Sequence, residues 1–450
     1  MNQLIFKKSK NDFYFYDRVK NQVGILPKRK FKNISLGIII DTALKIPPDT
    51  GVTYRLYYLS EKLAQKGIKI KIFLCNRNFE NEEDVKNIFK GTSLEFHIIP
   101  ESIFYNVKKL GEIITSNHVD IIQVEDPVYV LRYEKIGRDL NIPFCLEMHD
   151  VEASLLEMLR WNPKEVDFSK AISYFACALA ERVICMTFLD YNELIYKIGV
   201  NINKLVLIPN PIDLKKFPYF GPNLKIKSII FLGNMFYWPN KNAAIFIAKK
   251  IYPKVIKKDK EIKFILVGMV PEDIKRIFGK KNLIFTGSVD GSNLNKLLKE
   301  STIALCPVVE GSGMKVKILN YCAAGLPVIT TGIGASGYEK IKSLIIENNL
   351  NKYSEKILDL LNHPNEIKAM GKNNRKRVEK YYDLEKIADK MAQVYQDILN
   401  NFYYKIKQVN KNKPLKLPFP LWLKEKRIKK IRNKNYYIIR NGKIVFKQRF

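Results

Sequence analysis

Nothing in this chain of 450 residues is apolar for long enough to cross a bilayer. Its most apolar stretch, residues 171–189, is interrupted by Glu181-Arg182 and falls short of the roughly 18 to 20 apolar residues that a spanning helix needs. Any membrane contact is therefore expected to be peripheral. No segment of signal-peptide length precedes the first charged residues, and a cytoplasmic location is expected. Metal-ligand spacing is missing as well. There is no Cys-x-x-Cys pair, no Asp-x-Asp and no P-loop, which excludes the common zinc and Walker-type sites. The six cysteines, at 75, 145, 177, 185, 306 and 322, mostly lie inside apolar runs and read as buried free thiols of a reducing compartment. With only 22 glycines and 20 prolines against 46% hydrophobic residues, wholesale disorder is excluded too.

Acidic residues are also scarce. Forty-five Asp and Glu stand against 77 Lys and Arg, a net charge of +32, which points to an anionic partner. The imbalance is concentrated at one end, where residues 401–450 hold sixteen Lys or Arg and a single acid, Glu425. The remainder is also consistent with the codon bias of a chain rich in Lys, Asn and Ile.

What is present is a repeated alternation of short apolar runs with amphipathic helical patterns, which predicts parallel sheets covered by helices. A first series runs from a strand over 34–41 and a helix over 52–66 through strands at 68–75, 94–99, 119–124, 143–148, 182–186 and 204–209. The stretch 209–222, with four prolines and a glycine, cannot continue a helix or a central strand and reads as a linker. A second series follows, with strands at 228–232, 263–267, 283–285, 303–306 and 327–330 and helices at 240–258, 294–300, 314–324, 352–361, 364–380 and 384–399. The expected fold is α/β, with two doubly wound Rossmann-like domains facing across a cleft and a basic C-terminal extension. The segments are 1–33 as an N-terminal extension, 34–209, 210–400 and 401–450. Such a pair binds ligands at the carboxyl ends of its strands.

The segment Glu310-Gly-Ser-Gly313-Met-Lys315-Val-Lys317-Ile-Leu-Asn320 joins a strand to a helix. Its glycines allow close approach, helix-start amides carry partial positive charge, Ser312 offers a hydroxyl, and Lys315 and Lys317 offer cations, so phosphate oxygens are natural guests. A tight turn with no ligand is the other reading of a lone glycine loop. With the Ala-x-Gly325-x-Pro-Val and Thr331-Gly that follow, the segment resembles the donor-binding stretch of family-4 glycosyltransferases of the two-domain GT-B fold. Phe231-Leu-Gly-Asn-Met-Phe-Tyr-Trp-Pro-Asn240, Ile208-Pro-Asn-Pro-Ile-Asp213 and the helices from Asn374 to Tyr395 extend the similarity.

The resemblance implies that the second domain holds a nucleoside diphosphate sugar and the first presents a glycan or lipid-linked acceptor. Glu310 would then contact the transferred sugar. Gly311, Ser312, Gly313, Met314, Gly233 and Asn234 would surround the diphosphate, Lys241, Lys315 or Lys317 would supply charge, and Ser288 and Val289 would meet the base. Asn320 stands where the family usually has the glutamate that grips the ribose, and offers one acceptor oxygen instead of two. The resemblance also implies retention of anomeric configuration without a metal ion or other cofactor. A nucleotide-sugar epimerase and a binding module with a degenerate site are the alternatives.

In the first domain, the turn Pro47-Pro-Asp-Thr-Gly51 precedes a helix whose amides could face the diphosphate, with an ordinary turn as the alternative. His149-Asp150 and Glu125-Asp126 each follow a strand, at cleft positions. A lone histidine there can be structural, whereas the resemblance implies that His149 lies near the sugar and acceptor. The tail sets Leu417-Pro-Phe-Pro-Leu-Trp422 beside a polybasic run, followed by a hairpin pattern over 436–447 with Asn441-Gly442 as a type I′ turn. An anionic membrane surface, a solvated basic face and nucleic acid are its three readings, with nucleic acid disfavoured because no RNA-binding motif is present.

Overall fold

The computed structural model describes residues 34–41, 51–76, 92–406, 429–432, 435–440 and 443–448. The N-terminal extension, the turn over 47–50 and the apolar-basic stretch 417–428 lie outside the described residues.

Strands β1 (Ser35–Ile40), β2 (Lys69–Cys75), β3 (Glu95–Ile99), β4 (Ile121–Val124), β5 (Phe144–Met148), β6 (Arg182–Cys185) and β7 (Leu205–Leu207) form one sheet in the order β3-β2-β1-β4-β5-β6-β7. All its pairings are parallel. Every residue of β1, β4 and β5 is buried, as central strands with helices on both faces require. Full burial of each large aliphatic side chain contributes about 1.5 to 3 kcal/mol. A second parallel sheet combines β8 (Ser228–Leu232), β9 (Lys263–Val267), β10 (Leu283–Gly287), β11 (Ile303–Cys306), β12 (Val328–Thr330) and β13 (Ile345–Ile346) in the order β10-β9-β8-β11-β12-β13. In both sheets the strand order reverses beside the first strand, between β1 and β4 and between β8 and β11. Those switch points open crevices at the strands' carboxyl ends. This is the two-unit architecture anticipated from the alternation of the chain.

Two stretches of chain cross between the units side by side. The amide of Ile212 donates to Tyr382 O at 2.8 Å, and that of Leu384 donates to Ile212 O at 3.1 Å. After the second crossing, the return helix Leu384–Ile406 lies on the first sheet, where Ile387, Met391, Tyr395 and Ile398 share a core with Leu36, Ile38, Leu59 and Leu63. The helix before it, Pro364–Tyr381, stays on the second unit, and Asn374 Nδ2 donates to Leu326 O at 2.7 Å.

Two elements differ from the periodicity. The helix expected over 240–258 is Trp238–Phe246 and Tyr252–Lys258 joined by a wide turn, Ile247–Ile251. Pro253 has no N–H to donate, and the looser turn accommodates it. The helix expected from Met314 begins only at Lys317, after a loop in which Gly313 holds φ at +67°, outside the helical region. Beyond the return helix, β14 (Lys429–Arg432), β15 (Asn435–Arg440) and β16 (Lys443–Gln448) make an antiparallel sheet. The expected hairpin is there, with Arg440 opposite Lys443. Its two turn residues lie outside the described set. All six cysteines are buried and unpaired. None of the described helices is long and apolar enough to cross a membrane.

Candidate functional site

The second sheet's switch point collects the glycine loop. After β11 the chain continues to Glu310, whose Oε2 is buried with no hydrogen-bond partner, and the helix Lys317–Ala324 then carries Asn320, whose Oδ1 is in the same condition. Two buried acceptors without donors are costly in isolation and suit hydroxyl groups brought by a ligand. Gly311 and Gly313 both have positive φ. Among the described residues, the backbone amides of Ser312, Gly313, Met314 and Lys315 donate no hydrogen bond to protein, so they are available to anionic oxygens.

Of the three candidate lysines, Lys317 is the one that reaches the facing turn after β8. A Cβ on Gly233 would lie 3.0 Å from Lys317 Nζ, so glycine there lets the amine approach the backbone. Lys317 Nζ donates to Asn240 Oδ1 at 2.6 Å and lies 4.3 Å above the Phe231 ring. Asn240 Nδ2 in turn donates to Asn234 O at 3.0 Å. Burial pushes the Lys317 ammonium down to about 8, since desolvation disfavours the charged form. Lys315 instead folds back, donating to the carbonyls of Ser312 at 2.7 Å and Gly313 at 3.0 Å, and burial lowers its pKa. The Lys241 backbone amide donates to Tyr237 O at 3.0 Å, and its side chain makes no hydrogen bond or ion pair among the described residues. Ser288 and Val289 follow β10 at the same end of the sheet, Ser288 exposed and Val289 half-buried against the core.

The first unit meets this loop directly. A Cβ on Gly313 would stand 2.5 Å from His149 O, and one on Gly51, at the start of the helix Gly51–Gln65, would stand 3.5 Å from Val316 Cγ2. Ser312 finds a partner other than the expected phosphate: its hydroxyl donates to Asp150 Oδ2 at 2.8 Å, across the two units. Met314 also faces the linker, since Asn210 N approaches its Sδ at 3.1 Å. His149, half-buried just past β5, donates from Nε2 to Glu125 Oε2 at 2.7 Å. Burial alone would lower the imidazole pKa, but the hydrogen bond and charge of Glu125, aided by Glu147, outweigh it and raise the value.

The loop and the helix after it therefore meet His149 and Gly51 through Gly313 and Val316, and Gly233 and Asn234 through Lys317 and Asn240, with Glu310 and Asn320 at the two ends of the same segment. Residue-by-residue reading placed Asp150 at the cleft but not its Ser312 partner, and it gave no role to Asn240, which closes the Phe231–Asn240 stretch. It also missed Arg55, whose guanidinium is buried and paired with Glu147. Burial of an arginine at that place follows from tertiary packing, and the helical pattern around it carries no signal of it.

Two family models match the chain: one described as Glycosyltransferase Family 4 over residues 50–216, and one described as Glycosyl transferases group 1 over residues 226–363. A Klebsiella pneumoniae protein encoded in the cps region and described as uncharacterised is 24% identical over 42% of this chain and 50% of its own length. The UDP-Gal:alpha-D-GlcNAc-diphosphoundecaprenol alpha-1,3-galactosyltransferase of Escherichia coli is 25% identical, over 52% of this chain and 64% of its own. The chain thus matches between half and two thirds of the length of these two relatives. Among solved structures, Anabaena HepE in complex with UDP and glucose superposes with a TM-score of 0.63, at 11% identity, over 81% of this chain and all of the other.

Proposed function

Because the chain belongs to the family-4 glycosyltransferases of GT-B fold, we propose that it moves a hexose from a uridine diphosphate sugar to a lipid-linked glycan, with retention of anomeric configuration. The observation that carries this reading is the pair of buried, donor-less acceptors, Glu310 Oε2 and Asn320 Oδ1, at the two ends of an amide-rich loop whose cation is Lys317. Sugar hydroxyls would satisfy Glu310 and ribose hydroxyls Asn320, while the diphosphate takes the free amides. The E. coli relative, named for a UDP-galactose donor and a diphosphoundecaprenol-linked acceptor, and the UDP held by the HepE fold support the choice of substrates.

In this reaction the bond between the anomeric carbon and the diphosphate oxygen breaks, and a new bond forms from the acceptor hydroxyl oxygen on the same face. The acceptor's proton passes to the leaving diphosphate. Negative charge grows on that diphosphate in the transition state, where preorganised amides and Lys317 stabilise it more than in the ground state. Charge neutralisation by these groups calls for no divalent ion. Lysines of the segment 407–450 would hold the enzyme at an anionic membrane face, at about 1 kcal/mol for each cation near the surface.

The test offers labelled UDP-galactose, UDP-glucose and UDP-N-acetylglucosamine to the purified chain with a lipid-diphosphate-linked N-acetylglucosamine, with and without EDTA. Transfer unaffected by EDTA is expected. Absence of both transfer and UDP binding would overturn the proposal. Asn320 favours one competing reading, a binding module with a weakened ribose grip. Asn320→Glu separates them: reduced transfer marks an adapted enzyme, whereas binding gained from none marks a degenerate site.

A further inference from the structure

Behind His149 runs a line of buried polar side chains drawn from β4, β5, the first helix and the return helix, and it ends on a backbone carbonyl of the linker. Strand alternation puts Gln123 and Glu125 on one face of the β4 edge, and Glu147 and His149 on one face of the β5 edge; the β4–β5 register runs Gln123 with Cys145 and Val124 with Leu146. Gln123 Nε2 bridges the two carboxylates, donating to Glu125 Oε1 and to Glu147 Oε2, each at 2.7 Å. Glu125 Oε2 then accepts from His149 Nε2. On the other side, Glu147 accepts from Arg55 Nε, while Arg55 Nη1 donates to Pro209 O at 2.7 Å at the start of the linker. The return helix closes the line, since Tyr395 OH donates to Gln123 Oε1 at 2.5 Å. Arg55 is 1% exposed and Glu147 2%.

With both carboxylates ionised, against the burial that raises the Glu147 pKa, the charges of this strip balance when the ring is charged. Two carboxylates, Glu125 and Glu147, face one guanidinium, Arg55, and an imidazolium completes two of each sign, as a buried charge requires. The other charged groups nearby are engaged elsewhere: Asp150 accepts from Ser312, and Lys315 is held on loop carbonyls. With Nε2 committed to Glu125, Nδ1 is the ring nitrogen left for a substrate.

We infer that Glu125, Gln123 and Tyr395 are positioning residues that hold His149 as an imidazolium with Nδ1 presented to the cleft, and that they tie this setting to the two chain crossings between the units. The inference rests on the proposed transferase reading only for what Nδ1 meets. Tyr395 lies on the helix that follows one crossing, and Arg55 grips the other.

The chain has four histidines, so the His149 ring can be followed by NMR in the full-length protein, with His149→Gln giving the assignment. Wild-type His149 is expected to titrate above free imidazole. Glu125→Gln should lower that midpoint by about one pH unit, a tenfold change in the protonation equilibrium. Tyr395→Phe, the gentler variant, should lower it by a smaller step. The high-pH limb of kcat should move by the same amounts, while UDP affinity stays within about twofold, since none of these residues reaches the diphosphate loop. A His149 midpoint at the free-imidazole value, or one unmoved by Glu125→Gln in a folded protein, overturns the inference. Loss of UDP binding in the wild type would instead overturn the transferase reading and leave the titration result standing.

Discussion

Lys317 is a cation held in a place that disfavours cations. Its amine is pushed down to about 8 by burial, so near that pH the unliganded protein carries it partly neutral. A bound diphosphate favours the charged form, and binding must then draw in a proton. UDP affinity should fall as pH rises through about 8, and calorimetry at pH 8.5 in buffers of different ionisation enthalpy should register proton uptake on binding. Lys317→Met should abolish the uptake and weaken UDP binding by roughly ten- to a hundredfold, the value of a charge-assisted hydrogen bond. Gly313 is limited in another way. Its φ of +67° and the nearness of His149 O mean that Gly313→Ala strains the loop and blocks the approach of the two units. Unfolding stability should fall by about 1 kcal/mol or somewhat more, whereas kcat/KM should fall by two orders of magnitude or so, the effect of misplacing reacting groups.

At the scale of elements, the return helix belongs by packing to the first unit, although it follows the second in sequence. Met391 is fully buried against the first sheet's core. Met391→Ala should cost about 2 to 5 kcal/mol in urea unfolding, and the loss should appear in the first unit. The ion pairs at that helix's start, Lys62 with Glu385 at 2.6 Å and Lys66 with Asp389 at 2.8 Å, have exposed carboxylates and should contribute about 1 kcal/mol or less. Strand and helix positions in both units were legible from apolar periodicity, because central parallel strands are apolar on both faces and helices on one. The start of the loop helix at Lys317 was less legible, since Met314 to Val316 also match a helical pattern.

For the whole molecule, the charge of +32 divides into a body and a basic end. Removing residues 407–450, beyond the return helix, should reduce co-sedimentation with anionic vesicles in a salt-sensitive manner and leave UDP affinity unchanged. Equal vesicle binding with and without the segment would refute a membrane role for it. The closed cleft also links the units chemically, through Ser312 with Asp150 and Asn210 with Met314.

By itself the sequence determined that there are two doubly wound units, where the linker runs, and which loop carries the glycines and lysines, because these depend on neighbours in the chain: side-chain period, proline and glycine. Tertiary structure decided which lysine faces Gly233, that Ser312 answers Asp150, which core receives the return helix, and what stands behind His149. Those pairings join residues far apart in the chain, 272 positions for Gln123 and Tyr395 and 323 for Lys62 and Glu385. Sheet register and closure of the two units bring them together, and no local pattern of the chain encodes such distances.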